Sequence, residues 1–131
     1  MPGGQGGSGA RDVASTVSWT PPPIEECWVE PADVMQVDEV NRIVTRRVEW
    51  DGQLVDYAIV WTRCGSDGEY VEQVCIDCRH GTVHRHDGYP HDENKKRVIR
   101  AIYSQEDVQE SFRSSFDEVY DAYEASLEEM S

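Results

Sequence analysis

The chain has no long hydrophobic run. No segment of its 131 residues approaches the ~18 consecutive apolar residues that a membrane-spanning helix needs. The Gly-rich start, MPGGQGGSGARD, also lacks the basic and apolar regions of a secretion signal. We therefore expect a cytoplasmic protein without a membrane anchor, built around one core of roughly 100 residues.

Cysteine and basic residues are both scarce. Four cysteines are too few to staple a chain of this length, and in the cytoplasm they should stay reduced. Only 12 Lys and Arg stand against 26 Asp and Glu, which gives a net charge of −14. This charge disfavours general attraction to nucleic acid or to an anionic membrane. The few basic residues are nearly all arginines, a balance typical of halophilic archaea, although a GC-rich genome would give the same ratio.

The acidic residues concentrate at two flanks, because residues 25–41 carry −6 and residues 104–131 carry −8. The second flank could offer an acidic surface to a protein partner. Basic residues cluster between the flanks, so Arg79 and Arg85 are candidates for binding an anion. The alternative is a solvated basic face that the C-terminal helix neutralises.

The first 23 residues differ from the rest in composition. Residues 1–23 combine Gly, Ser and Pro without apolar periodicity, which predicts a disordered or extended tail. Trp19 in this tail could dock on the domain or on a partner. Residues 24–131 should form a single α+β domain. Its acidic first part, residues 24–41, is compatible with either a short helix or an edge strand.

Strand patterns dominate the middle of the chain. The Asp51-Gly52 pair separates two apolar-rich stretches and predicts a β-hairpin with a two-residue turn. An unbroken ladder from that turn would pair Val48 with Val55. A third strand is expected at about residues 70–78, and the segment TVHRH supplies a short fourth.

A long helix is expected from Ser104 onward. Ser104 and Asp107 make a capping-box-like start, and apolar residues then recur at three- and four-residue steps. These residues are Val108, Phe112, Phe116, Val119, Tyr120, Tyr123 and Leu127. The sequence therefore predicts an α+β fold, a four-stranded antiparallel β-meander with the long C-terminal helix packed on one face. Residues 95–103 could add a fifth strand or a first helical turn.

All four histidines lie in one stretch, VCIDCRHGTVHRHDGYPH, together with two cysteines. If a tight turn at the HG pair joins two strands, Asp77 pairs with His84 and Cys75 pairs with His86. Alternation then places these four side chains on the uncovered face, away from the helix.

The CxxC motif in this stretch is a weak zinc signal. Residues three apart on a regular strand point to opposite faces, so Cys75 and Cys78 chelate one ion only if the strand ends in a knuckle. We expect Cys78 to lie in the core with Ile76 and Val83.

A metal site is one interpretation of the histidine stretch. His84 and His86 alternate along one strand, so their imidazoles should lie side by side. Cys75, Asp77 and either His80 or His91 are near enough to add a third ligand. Zinc suits this donor set.

Acid/base catalysis is a second interpretation. Asp77 opposite His84 would fix the tautomer of an imidazole base, and His86 could serve as that base equally well. With Arg79 or Arg85 holding a phosphate, the same face could cleave RNA without a metal. A third interpretation is a polar sheet face whose histidines and acid hydrogen-bond one another.

The segment DCRHGTVHRHDG, followed by a Ser-capped acidic helix, resembles a family of small proteins of halophilic archaea and actinobacteria with an HGxxHxH core after a strand. This resemblance rests on His80, Gly81, His84 and His86, and it implies no particular activity. More loosely, the order W, DG, D and HxH looks like the TumE type of toxin, whose His-rich segment is linked to RNA cleavage. The acidic charge and the CxxC of this chain depart from that pattern.

Two functions are compatible with these residues. The first is a non-enzymatic binding module whose His/Cys face holds a metal ion such as zinc, or a partner. The second is a toxin-like ribonuclease in which His84 or His86 is the base and Asp77 orients it.

Overall fold

The computed structural model of the chain describes residues 19–79 and 81–130, and of Arg79 and Met130 it describes the backbone alone. A short 3-10 turn at Ile24–Glu26 precedes the sheet. The strands are β1 (Trp28–Val29), β2 (Asp33–Gln36), β3 (Asn41–Trp50), β4 (Gln53–Cys64), β5 (Tyr70–Arg79), β6 (Thr82–Asp87) and β7 (Arg97–Ala101). One helix, α1 (Gln105–Met130), follows them.

The strands form one antiparallel sheet in the order β1-β3-β4-β5-β6-β7, and β2 also pairs with β3. The predicted α+β fold with a C-terminal helix is confirmed. The predicted count of four strands is wrong, because the described residues form seven. The additional strands β1, β2 and β7 lie at the outer edges, and most of their residues are exposed. β2 and β7 lie in residues 24–41 and 95–103, the two segments for which a strand is one of two alternatives. Their residues lack the alternation of apolar and polar side chains that would decide between them.

The β3–β4 hairpin turns at Asp51 and Gly52, whose φ angles are both positive, 53° and 75°, as a type I′ turn requires. A β-bulge then places one extra residue, Val55, in β4. Val48 consequently pairs with Asp56 and not with Val55. The predicted pairing is wrong because the hydrophobic pattern carries no signal of a single inserted residue.

Helix α1 covers one face of the sheet. Ser104 Oγ accepts a hydrogen bond of 3.2 Å from the backbone N–H of Asp107, as expected of a helix cap. The hydroxyl of Tyr57 lies 2.8 Å from Ser111 Oγ and 3.1 Å from Ser115 Oγ, so these buried polar groups satisfy one another. The core consists of Ile43, Tyr57, Ile59, Trp61, Val74, Ile76, Cys78, Val83, Ile102, Val108, Val119 and Tyr123.

The first described residues contact the domain. Trp19 packs half-buried against the core, and its backbone N–H donates to the carbonyl of Ile102 at 3.2 Å. Trp19, near the end of the expected tail, therefore contacts the folded domain. Residues 1–18 lie outside the described residues. Among the described residues, α1 is too polar to cross a bilayer.

Candidate functional site

The β5–β6 hairpin carries the register that the sequence predicts. Asp77 pairs with His84 and Cys75 pairs with His86. Ile76, Cys78 and Val83 belong to the core on the opposite side. We call the side of the sheet that faces away from α1 the histidine face, and it carries Cys75, Asp77, His84 and His86.

Asp77 lies between the two imidazoles of β6. Its Oδ1 is 3.6 Å from His84 Nδ1, and its Oδ2 is 3.6 Å from His86 Nε2. His84 Nε2 lies 2.7 Å from Thr82 Oγ1. The side chains of Asp77, His84 and His86 are only 14%, 11% and 9% exposed. The structure thus brings the three predicted residues together, but it buries them where the sequence predicts an open face.

A loop that the sequence leaves unassigned explains part of this burial. The β6–β7 loop returns over the histidine face and stacks His91 on His86, with ring centroids 3.9 Å apart and planes 7° from parallel. Burial is the main cause that lowers the pKa of His86, and the neighbouring His91 and His84 lower it further, although Asp77 opposes them. His86 is therefore held in its neutral form.

A group of three metal-ligand side chains lies beside this stack. One ligand atom each of Glu72, Cys75 and His91 lies within 4.8 Å of the other two. In this group His91 Nε2 is 2.5 Å from Glu72 Oε2. Among the described residues this is the one group of three such ligand types at that spacing. The group includes two of the predicted ligands, Cys75 and His91, the latter predicted as an alternative to His80. His84 and His86 do not belong to it, and His80 lies outside the described residues.

A β-bulge brings Glu72 to Cys75. Residues three apart on a regular strand face opposite ways, but Gln73 is an extra residue here, because Thr62 pairs with Glu72 while Val60 pairs with Cys75. Both acid and thiol therefore share the histidine face. Sequence reasoning misses Glu72 because it assumes an unbroken strand.

The same bulge anchors the loop that carries His91. The carbonyl of Gln73 accepts a hydrogen bond of 2.9 Å from the backbone N–H of Gly88. Gly88 has φ +88°, a left-handed conformation that a side chain would strain. The bulge and the glycine together direct the loop back over the sheet, so that His91 meets Glu72.

The two cysteines of the CxxC motif do not act together. Cys75 lies on the histidine face, whereas Cys78 is buried in the core beneath α1. Burial is the main cause that raises the pKa of Cys78, to about 12, and the nearby carboxylates of Asp56 and Asp77 add to it. Cys78 therefore stays a protonated core thiol, as the alternation predicts.

Arg85 and Arg97 lie on the other side of the sheet, towards α1. Arg85 contacts Glu118 of α1 at 2.8 Å and Asp87 at 3.0 Å. Arg97 reaches the same Glu118 at 3.3 Å. The geometry matches a basic face neutralised by the helix, and it keeps the Arg85 guanidinium away from the histidines. The structure does not describe the side chain of Arg79.

Three buried side-chain atoms on the histidine face have no hydrogen-bond partner among the described protein atoms: Thr62 Oγ1, Asp77 Oδ1 and His86 Nδ1. Native proteins rarely leave such atoms unpaired. Two of the three, Asp77 Oδ1 and His86 Nδ1, belong to the residues that surround the His86–His91 stack.

Comparison of the chain with protein-family models, with curated protein sequences and with solved structures finds no match.

Proposed function

We propose that the chain is a non-enzymatic binding module for one transition metal ion, held by Glu72, Cys75 and His91. The observation that carries this proposal is the convergence of a carboxylate, a thiol and an imidazole within 4.8 Å. A mixed oxygen, sulfur and nitrogen donor set suits a borderline ion, and Zn²⁺ fits it best.

The spacing of the ligand atoms is close to what zinc needs. Donor atoms around a tetrahedral zinc lie about 3–4 Å apart, so His91 Nε2 and Glu72 Oε2, now 2.5 Å apart, have to separate by roughly 1 Å to share an ion with Cys75. The hydrogen bond between His91 and Glu72 would open as both groups turn to the ion. His91 lies on an exposed loop, which can supply that adjustment.

His86 lies against His91 and supports the proposed site. Its ring stacks on His91 and is neutral, its Nδ1 is buried without a partner among the described atoms, and its backbone pairs with Cys75. The stack holds the His91 ring in one plane. Asp77 Oδ2 lies 3.6 Å from His86 Nε2, so the carboxylate can orient this second ring, as carboxylates do for histidines at metal sites.

Zinc content tests the proposal directly. We expect the chain, purified without a His tag, to contain about one zinc per molecule. His91→Ala and Cys75→Ser should each weaken zinc binding more than about 10-fold in a competition with a chromophoric chelator, because each removes a ligand. His86→Ala should weaken it less.

Two variants serve as matched controls. Cys27→Ser changes a thiol that contacts the carbonyl of Pro23, outside the site, and His84→Ala changes an imidazole that is not in the group of three. Both should keep wild-type zinc affinity. Zinc-free wild-type protein that gives no calorimetric signal with added Zn²⁺ would contradict the proposal, as would equal affinities for all variants.

RNA cleavage is the second candidate function, and the contacts of Asp77 with His84 and His86 favour it. It ranks below metal binding because these imidazoles are nine-tenths buried and Arg85 faces the helix. If the face cleaves RNA by acid/base chemistry, cleavage should persist in EDTA and disappear in Asp77→Asn. RNA that stays intact with the wild-type protein, as it should with Asp77→Asn, would rule out this function.

A further inference from the structure

We propose that copies of this chain associate head to tail through the two outer edges of the sheet, with β7 of one copy beside β2 of the next. This inference is independent of the metal site. It rests on the charge, the exposed apolar side chains and the strand direction of the two edges.

One outer edge is acidic. Residues 25–41, which contain β1 and β2, hold six carboxylates and no basic residue. All four residues of β2 are exposed. Trp28 is 66% exposed and Val34 53% exposed, so apolar surface lies among the acids. Exposed edge strands of this kind can pair with another strand.

The opposite edge is basic. Residues 95–100 hold four basic residues and no acidic one. Val98 is 56% exposed on β7. Three of the four basic residues contact acids: Arg97 contacts Glu118, Lys96 contacts Glu93, and Arg100 contacts Asp107 and Glu110. Arg97 is nevertheless 61% exposed, and Lys95 is exposed as well. The positive charge that this edge presents outward therefore rests on Lys95 and Arg97.

The strand directions fit a head-to-tail arrangement. Five antiparallel steps separate β2 from β7, so the two strands run in opposite directions. When two copies have the same orientation, β7 of one and β2 of the next are antiparallel. The sheet would continue across the contact, with α1 on the same side in both copies.

Charge selects this arrangement over a two-fold dimer. A two-fold contact joins identical edges, and would set acids against acids or bases against bases. Only the unlike edges attract each other. The contact is small, because all three edge strands are short and Pro31 separates β1 from β2. We therefore expect weak, concentration-dependent association.

A charge exchange between the edges tests the arrangement. The first variant carries Asp33→Lys and Val34→Lys on the acidic edge, and the second carries Lys95→Glu and Arg97→Glu on the basic edge. Sedimentation is measured at about 0.15 M salt, where a Debye length of ~8 Å screens the distant repulsion of the net charge. The average mass of the wild-type protein should rise as its concentration increases from about 10 μM to 1 mM. Each variant alone should stay monomeric, and their equimolar mixture should associate again.

The outcomes separate the possible contacts. Wild-type protein that stays monomeric over this range overturns the proposal. Association of either variant alone, as strong as that of wild type, would point to a two-fold contact through its unchanged edge and would also overturn it. Circular dichroism establishes that both variants are folded.

Cross-linking gives a second test that needs no variant. The chain has two lysines, Lys95 and Lys96, and both belong to the basic edge. Carbodiimide treatment of mixed light and heavy isotope-labelled chains should join Lys95 of one copy to a carboxylate of residues 25–41 of another. Finding only links within one copy, such as Lys96 to the neighbouring Glu93, would contradict the arrangement.

Discussion

Asp38 joins the loop before β3 to the second half of α1. Its Oδ1 accepts hydrogen bonds of 2.8 Å from the backbone N–H groups of Val40 and Asn41, and its Oδ2 accepts one of 2.8 Å from the Tyr123 hydroxyl. Burial by itself raises the pKa of Asp38, but these hydrogen bonds outweigh it and lower the pKa to about 2. A single ionised side chain thus ties an exposed loop to the helix.

We expect Asp38→Asn to lower the free energy of unfolding by about 1–3 kcal/mol near neutral pH, because an amide offers one acceptor atom where the carboxylate offers two. Since folding lowers this pKa, the contribution is present above the ordinary value of 3.8 and is lost as pH falls towards about 2. Urea unfolding of both proteins near neutral pH and near the acidic limit measures the difference. Asp33→Asn, on the exposed edge strand β2, is the control; a difference that does not shrink in acid would contradict the assignment.

Three β-bulges interrupt the ladders of the described sheet, and those in β4 and β5 mark the limit of what the sequence predicts. The β5–β6 register follows correctly from a short turn and alternation, since no extra residue interrupts that ladder. The ladder between β3 and β4 does contain one, Val55, and its predicted pairing fails. The bulge at Gln73 has the larger consequence for the candidate site, because it lets Glu72 share a face with Cys75.

The helix and the candidate site also differ in how well the sequence predicts them. Local signals, the cap at Ser104 and the apolar stripe, are sufficient to predict α1. The contact between His91 and His86 depends instead on the path of the β6–β7 loop across the sheet. A tertiary path leaves no periodic pattern, so the sequence predicts that histidines gather here but not which of them meet Glu72.

At the scale of the whole molecule, the net charge of −14 is unevenly compensated. Three arginines of the sheet contact acids in the first two thirds of α1: Arg85 and Arg97 contact Glu118, and Arg100 contacts Asp107. The last two turns of the helix are acidic and largely exposed, with no basic residue in the last turn. These acids lie at the C-terminal end of α1, where the helix dipole makes additional negative charge unfavourable.

We therefore expect added NaCl to stabilise the fold, because salt screens repulsion between exposed acids more than it weakens short, partly buried ion pairs. Raising NaCl from about 0.05 M to about 1 M should increase Tm by roughly 3–8 °C, which corresponds to about 1 kcal/mol in a domain of this size. Differential scanning calorimetry measures the change. The triple variant Asp121→Asn, Glu124→Gln, Glu129→Gln removes charge from the uncompensated end of α1 and should show a higher Tm at low salt with a smaller increase on adding salt. A Tm that falls with salt would mean that the arginine contacts with Glu118 and Asp107 outweigh the repulsion, and that α1 is stabilised mainly by its ion pairs with the sheet.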